Sequence, residues 1–376
     1  MNTITRKKSI ITNKSNLEHL YTFKNFPVFF GCTNNDIHND VKADMSWSIC
    51  PESGVIQLDK LIPLDILYQE QHVDGTGPTW EKYYNDFAQY IIKKKPKNIL
   101  EIGGGAGKLA DIVIESTVDT DWTMAEPNPL HDETDRIKLI PKFFNDKFKY
   151  IGSVDTIVFS QVMEHAYDPN EFLLSIAKFL KTGNKLVFAY PNLKLWLEKK
   201  YTNAINFEHT FFLTDYFVDY LLQKHGFKIT DKTFYNEHSI FYVAEKINKP
   251  RVDVKFENKY VEYKKIFNEF IQYHQQLVKD LNTKIEKFDG KVYLFGAHIF
   301  SQYLFEFGLN KSKVSGLLDN SPLKIGKRLY GTNYIVDNPT IIKEDNKVGI
   351  ILKVGIYRDE IFKQLKQLNP NIVIFE

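Results

Sequence analysis

The chain has 376 residues, 43% of them hydrophobic and 26% charged, which is long enough for two or three domains with separate cores. Its 49 Lys and Arg stand against 47 Asp and Glu, so a formal charge of +2 gives no support to nucleic-acid or membrane-surface binding by bulk electrostatics. No apolar run reaches the roughly eighteen residues needed to span a bilayer, and the polar, basic start lacks the apolar core of a secretory signal, so a cytoplasmic protein is expected. Cys32 and Cys50 are the two cysteines, too few for a Cys₄ zinc site and, in a cytosolic chain, expected reduced.

Residues 1–75 carry short apolar pieces, 26–30 and 55–58, broken by Asn, Asp and Gly. The stretch from Ile49 to Leu58 reads as a knuckle turn entering a strand, within a small irregular N-terminal domain. A loop, Asp-Gly-Thr-Gly-Pro-Thr, occupies 74–79, and Tyr84, Phe87, Ile91 and Ile92 at helical spacing predict a helix over 80–92.

The next segment organises the rest. An apolar run at 99–102, carrying Glu101, opens into glycines at 103, 104, 105 and 107, after which Leu109, Ile112 and Val113 resume at helical spacing. Strand, tight turn and helix start are the entry of a doubly wound α/β sheet. Gly103, Gly105 and Gly107 let backbone approach a ligand that a Cβ would exclude. The dinucleotide pattern is not met, because G-x-G-x-x-G counted from Gly103 needs glycine where Lys108 stands. A second strand at 123–125 ends in Glu126, an acid placed to accept both hydroxyls of a ribose, so turn and acid together indicate a nucleoside ligand.

Strands at 156–159 and 185–189 continue the alternation. Chemistry in such sheets sits beyond the carboxyl ends of the strands. That singles out Phe143-Phe144-Asn145 and the run from Ser160 through Glu164-His165. Asn206-Phe207-Glu208-His209 then precedes two phenylalanines, a helix runs to Gly226, and strand-like runs at 228–233 and 239–243 close the domain. Apolar positions between 260 and 288 fall three or four apart, predicting a long amphipathic helix packed on its own chain. Beyond Asp289-Gly290, strands at 291–295, 314–319 and 350–354 form a Rossmann-like module read as holding substrate, without the further glycines of a nucleotide turn. The expected domains are 1–75, 76–250, a linking helix within 251–289, and 290–376.

Glu101-x-Gly-x-Gly-x-Gly followed by Glu126 resembles the first two motifs of class I S-adenosylmethionine (AdoMet) methyltransferases. Across nearly the whole chain the sequence resembles the sugar-nucleotide C-methyltransferase family, which methylates carbon on TDP-linked keto-deoxysugars. Four pieces carry this: Met163-Glu164-His165 with Asp168; Pro191; Glu208-His209 before Phe211 and Phe212; and Asp319-Asn320-Ser321-Pro322 leading to Gly326, Gly331 and Thr332. The resemblance implies an α/β fold with a class I AdoMet domain between a small N-terminal zinc-knuckle domain and a C-terminal Rossmann-like domain. It implies AdoMet as cofactor, held by Glu101, Gly103, Gly105, Gly107, Glu126 and Ser160, with Phe144 and Asn145 by the adenine. The acceptor would be a small molecule, a nucleotide sugar, faced by His165, Glu208 and His209, with His209 as general base.

The departures concern zinc and substrate. The family's Cys-x-x-Cys-Gly pair has become Cys50-Pro51-Glu52-Ser53-Gly54, and serine does not replace a soft thiolate ligand, so no structural zinc is expected. His72 and Asn206 stand where the family has tyrosines that touch the sugar. Carbon becomes a nucleophile as an enolate, and an imidazole with an ordinary pKa near 6.5 suits removal of the proton beside a ketone. In an extended segment Glu208 points away from His209. His165, near a strand tip, is placed to stabilise the developing oxyanion. Two rival readings stand beside carbon methylation: an O-methyltransferase using the same base, and a non-catalytic AdoMet-fold binding subunit.

Overall fold

A computed structural model describes residues 3–68, 78–248, 254–354 and 358–376. His72 and the first four residues of the 74–79 loop lie outside them.

Seven strands make the central sheet, in the order Phe227–Tyr235, Ser239–Lys246, Lys185–Pro191, Thr156–Ser160, Asn98–Ile102, Asp121–Ala125, Ile137–Ile140. Every neighbouring pair is parallel except those of Ser239–Lys246, which runs against both of its neighbours. Residues alternate between two covered faces, as a sheet buried on both sides requires. Ile99, Val158 and Val187 pack with Phe87, Ile91 and Val113 from the helices Pro78–Ile92 and Lys108–Glu115. Leu100, Ile157, Phe159 and Phe188 pack with Leu173, Ile176, Phe217 and Leu221 from Pro169–Phe179 and Asp215–Lys224. The order in which strands are added reverses between the parallel neighbours Asn98–Ile102 and Thr156–Ser160, and this switch point is where an open α/β sheet leaves a crevice for ligand.

The four parallel strands expected between 99 and 189 are all present, each a residue or two longer. The edge strand Ile137–Ile140 carries no usable signal in the sequence: four residues with Lys138 among them leave too short a pattern.

The N-terminal segment is more regular than its sequence implies. Glu18–Pro27, Lys42–Ile49 and Ile56–Leu58 form an antiparallel sheet whose fourth strand is Phe211–Phe212. Register shifts at His19/Tyr21 and Phe23/Phe26, the second beside Asn25 at φ 52°, break the two-residue alternation by which the long strand would be recognised. One apolar cluster runs from this sheet into the central domain, with Trp47 edge-on to Phe212 and beside Phe267.

The helix Tyr260–Glu286 has one buried stripe serving two cores. Tyr263, Phe267, Phe270 and Ile271 join the cluster around Trp47, whereas Val278, Leu281 and Ile285 join that of the C-terminal unit. That unit is a five-stranded parallel sheet, ordered Val336–Asp337, Gly316–Leu318, Lys291–Phe295, Val348–Leu352, Val373–Phe375. It is tied to the N-terminal segment by Arg328, whose guanidinium grips both Asp40 oxygens at 2.8 and 2.7 Å, a planar bidentate pair that lysine could not reproduce.

The thiols of Cys32 and Cys50 face different partners. Cys32 lies in a two-residue strand paired with Arg328–Leu329 and its Sγ points to the Ala297 carbonyl, 3.7 Å. Cys50 is buried within 3.5 Å of the Thr12 hydroxyl. No helix among the described residues is long and apolar enough to cross a membrane.

Candidate active site

One half of the candidate site is built at the tip of Asn98–Ile102. Gly103, Gly105 and Gly107 have φ of 72°, 56° and 77°, the left-handed region that glycine enters without cost. Gly104 resists substitution for a different reason, closeness: a Cβ there would lie 2.5 Å from Glu101 Oε2 and 2.6 Å from Met124 Cγ. Glu101 is buried, and its carboxylate accepts a hydrogen bond from Trp122 Nε1 at 2.9 Å, which fixes the acid beneath the turn. Glu126 follows Asp121–Ala125. Its Oε2 accepts from Gly105 N at 3.3 Å and its Oε1 from Asn128 N at 3.0 Å, so the acid and the glycine turn form one unit.

Tyr84, Glu101, Gly103, Gly104, Lys108, Leu109 and Ser160 line a cleft of ≈ 50 Å³ against this turn. Ser160 Oγ pairs with Tyr83 OH at 2.6 Å. Next to it, Gln161 holds a φ of 54°, uncommon for a side chain with a Cβ, and sends Nε2 to Ser239 Oγ at 2.8 Å. Phe144, partly buried, packs with Phe148, Phe172 and Phe179 against the core, Asn145 Oδ1 accepts from Lys147 N, and it is Phe143 that faces Tyr68. A close glycine turn with an acid bonded to it fits the demands of AdoMet, whose ribose Glu126 would meet and which the Gly103–Gly107 backbone would underlie.

A second cluster lies beyond the adjacent strand. A single 3₁₀ turn, Met163–His165, follows Thr156–Ser160, and Thr210 N donates to the Glu164 carbonyl at 3.2 Å, laying the 206–210 segment alongside it. This brings His165 and His209 edge to face, ring centroids 5.5 Å apart. Asn206 Oδ1 accepts from both Glu208 N and His209 N at 2.8 Å, so its side chain holds the turn. Glu208 Oε2 lies 3.7 Å from His165 Nδ1. His165 Nδ1 also pairs with Tyr68 OH at 3.0 Å.

His209 Nδ1 meets the Ala204 carbonyl at 3.1 Å. Only an N–H can pair with a carbonyl, so the proton is assigned to Nδ1 and the lone pair to Nε2. Burial pushes the His209 pKa down to about 4, keeping the ring neutral at pH 7. Glu164 is 1% exposed, and its Oε2 has no hydrogen-bond partner among the described residues. Burial, with the Glu208 carboxylate adding to it, pushes Glu164 up to about 8.

Three residues that no motif marks complete the frame. Tyr68 joins the two halves of the site: its hydroxyl reaches His165, while its carbonyl accepts at 3.5 Å from Nδ2 of Asn128, the residue whose backbone N–H donates to Glu126. Arg6 donates to the Thr210 carbonyl, and Tyr303 from the C-terminal unit donates its hydroxyl to the Ile205 carbonyl. All three act across long stretches of chain, and no local spacing announces them.

Fold and site together define a class I AdoMet-dependent methyltransferase domain: strand order 3-2-1-4-5-7-6 with the seventh strand antiparallel, a glycine cradle after the first strand and an acid after the second. Residues 76–232 match the family described as "Methyltransferase domain". S-adenosyl-L-methionine is the cofactor of this class. No curated protein matches the chain. Among solved structures, an O-methyltransferase family protein from Burkholderia thailandensis is similar at 9% identity and a TM-score of 0.37, covering 45% of this chain and 57% of that one. Magnesium protoporphyrin IX methyltransferase from Synechocystis PCC 6803, with bound SAH, aligns at 12% identity over 46% of this chain and 90% of its own, TM-score 0.36. An N-methyltransferase from Bradyrhizobium japonicum WM9, in complex with S-adenosyl-l-homocysteine, aligns at 13% identity over 45% and 88%, TM-score 0.36.

Proposed function

We propose that the chain transfers a methyl group to a carbon beside a ketone of a nucleotide-linked deoxysugar, with His209 as general base. The observation that carries this reading is the meeting of His165 and His209 in a cluster bordered by two buried carboxylates, one strand away from the glycine cradle. AdoMet, when bound, supplies an electrophilic methyl on a sulfonium. The protein has to supply a carbon nucleophile, which means removing a weakly acidic C–H proton and stabilising the enolate left behind.

His209 fits the first of these needs. Its ring is neutral, the Ala204 carbonyl holds the Nδ1 proton, and the Nε2 lone pair is the one left to accept the substrate proton. Asn206 and Arg6 keep its segment from moving as the proton arrives. His165 fits the second, because a ring oriented by the Tyr68 hydroxyl and the Glu208 carboxylate can present a donor to the ketone oxygen as charge develops there. Tyr68 supplies, near this ring, a phenol of the kind that the family resemblance implies at the position of His72. Asn206, bound up in its own turn, does not speak for a different acceptor.

The experiment is solvent deuterium exchange. Incubated in D₂O with an AdoMet analogue and a panel of TDP- and GDP-linked keto-sugars, the enzyme should wash deuterium into the carbon next to the ketone, and His209→Ala should abolish the exchange. A methylated product carrying its new group on oxygen, formed without exchange, would replace this reading with O-methylation.

A further inference from the structure

We infer that Glu164, His165 and His209 form a binding site for a divalent transition-metal ion, and that a metal ion seated there excludes the acceptor. One ligand atom from each of the three residues lies within 4.8 Å of the others, and two imidazoles with one carboxylate are a donor set suited to zinc, cobalt or nickel. No local ligand spacing marks the three as one set, because His209 comes from a segment more than forty residues after Glu164-His165.

Two independent observations point to a cation. The first is Glu164 Oε2, an oxygen in a side chain only 1% exposed, without any hydrogen-bond partner among the described residues. Such an atom costs free energy unless a proton or a cation meets it. The second is the surrounding hydrogen bonding. A metal-bound histidine characteristically gives its other ring nitrogen to a carbonyl, a carboxylate or a hydroxyl, which fixes the ring. His209 Nδ1 is on the Ala204 carbonyl, and His165 Nδ1 is at 3.0 Å from the Tyr68 hydroxyl with Glu208 Oε2 beyond it at 3.7 Å. The opposite nitrogen of His165, Nε2, is 3.9 Å from Glu164 Oε1, so this ring and the carboxylate already face each other. Entry from solvent is available past His165, whose side chain is 23% exposed.

The consequence for activity rests on the reading of His209 as the base. A lone pair given to a metal ion cannot accept a substrate proton, so zinc should inhibit, and should compete with acceptor rather than with AdoMet. Metal binding thereby adds a means of control to the same site and leaves the acid–base role in place.

The test is calorimetric titration of the EDTA-stripped, full-length protein with zinc chloride, with cobalt chloride as a spectroscopic substitute. One ion per chain is expected, with tetrahedral cobalt absorption and no thiolate-to-cobalt charge-transfer band. Glu164→Gln and His209→Ala should each weaken zinc binding by more than about tenfold, and AdoMet binding by the same variants serves as the check that they fold. Methyl transfer should fall with added zinc and return with EDTA. A thiolate band, zinc binding unchanged in both folded variants, or no binding at all would overturn the assignment. A stripped enzyme that needs the ion for turnover would overturn the exclusion. Zinc binding is read without acceptor or turnover, so it stands or falls apart from the carbon-methylation reading.

Discussion

Arg6 Nη1 donates to the carbonyl of Thr210 at 2.7 Å, a contact between residues 204 positions apart. The same guanidinium reaches the Thr210 hydroxyl and the Tyr167 carbonyl. Burial pushes its pKa down to about 10, which leaves it charged at neutral pH. One N-terminal side chain thus pins the chain segment that follows His209 against the turn that follows His165.

Arg6→Ala should therefore do more than lower stability. Loss of a charged, multiply bonded donor costs about 1–3 kcal/mol, readable as a lower midpoint in urea. Because the 206–210 segment loses its outer support, kcat should fall while AdoMet affinity, which we propose is set at the glycine turn, stays as it was. Reduced stability with kcat intact would make Arg6 a staple of the fold and no more.

Tyr68→Phe keeps the ring against Phe143 and removes the hydroxyl that pairs with His165 Nδ1. A neutral hydrogen bond contributes about 0.5–1.5 kcal/mol, so kcat should drop by up to about tenfold with the KM for AdoMet unchanged. A variant that loses AdoMet affinity instead would place Tyr68 on the donor side of the site.

The parts of this protein that are legible in its sequence are those specified locally. The run at 99–102 and its glycines declare a strand and a ligand turn because φ above zero and close approach leave glycine few rivals. The hidden parts depend on distant partners. Tyr68, Arg6 and Tyr303 look like ordinary surface or core residues until the fold brings them to His165, Thr210 and Ile205. Phe144 and Phe143 show the same limit in small: both are aromatic and adjacent, and only packing decides which ring lies against the core and which stays exposed. Asn206 stands out in the sequence as a departure in the substrate site, whereas its side chain bonds to the two backbone amides that follow Phe207, an interaction common for asparagine in turns.

Gly104 separates steric from conformational demand. Its neighbours need glycine for their φ, whereas Gly104 needs it for the oxygen of Glu101 at 2.5 Å from the site of a Cβ. Gly104→Ala should push Glu101 from Trp122 Nε1 and narrow the cradle, raising the AdoMet Kd by more than about tenfold, that is by upward of about 1.4 kcal/mol. Calorimetry with AdoMet measures this directly. Unaltered affinity would mean that the donor does not lie over this turn.

The buried imidazole of His209 also fixes a pH dependence with a definite sign. In the folded protein its pKa lies at about 4, below the ordinary 6.5 it regains on unfolding. As pH falls through 6.5 the unfolded chain takes a proton that the folded chain refuses, so stability present above 6.5 is lost progressively down to about 4. Glu164, raised to about 8, works in the other sense: its contribution is complete below the ordinary carboxylate range and disappears as pH rises toward 8. Urea unfolding of wild type and His209→Gln at pH 7 and pH 4.5 should show the wild type losing more, by on the order of 2–3 kcal/mol. The same shift acts on catalysis. A base that stays unprotonated down to about pH 4 gives a kcat profile with no acid limb near 6.5, so a midpoint at the ordinary histidine value would assign the proton acceptor to a more exposed ring, His165.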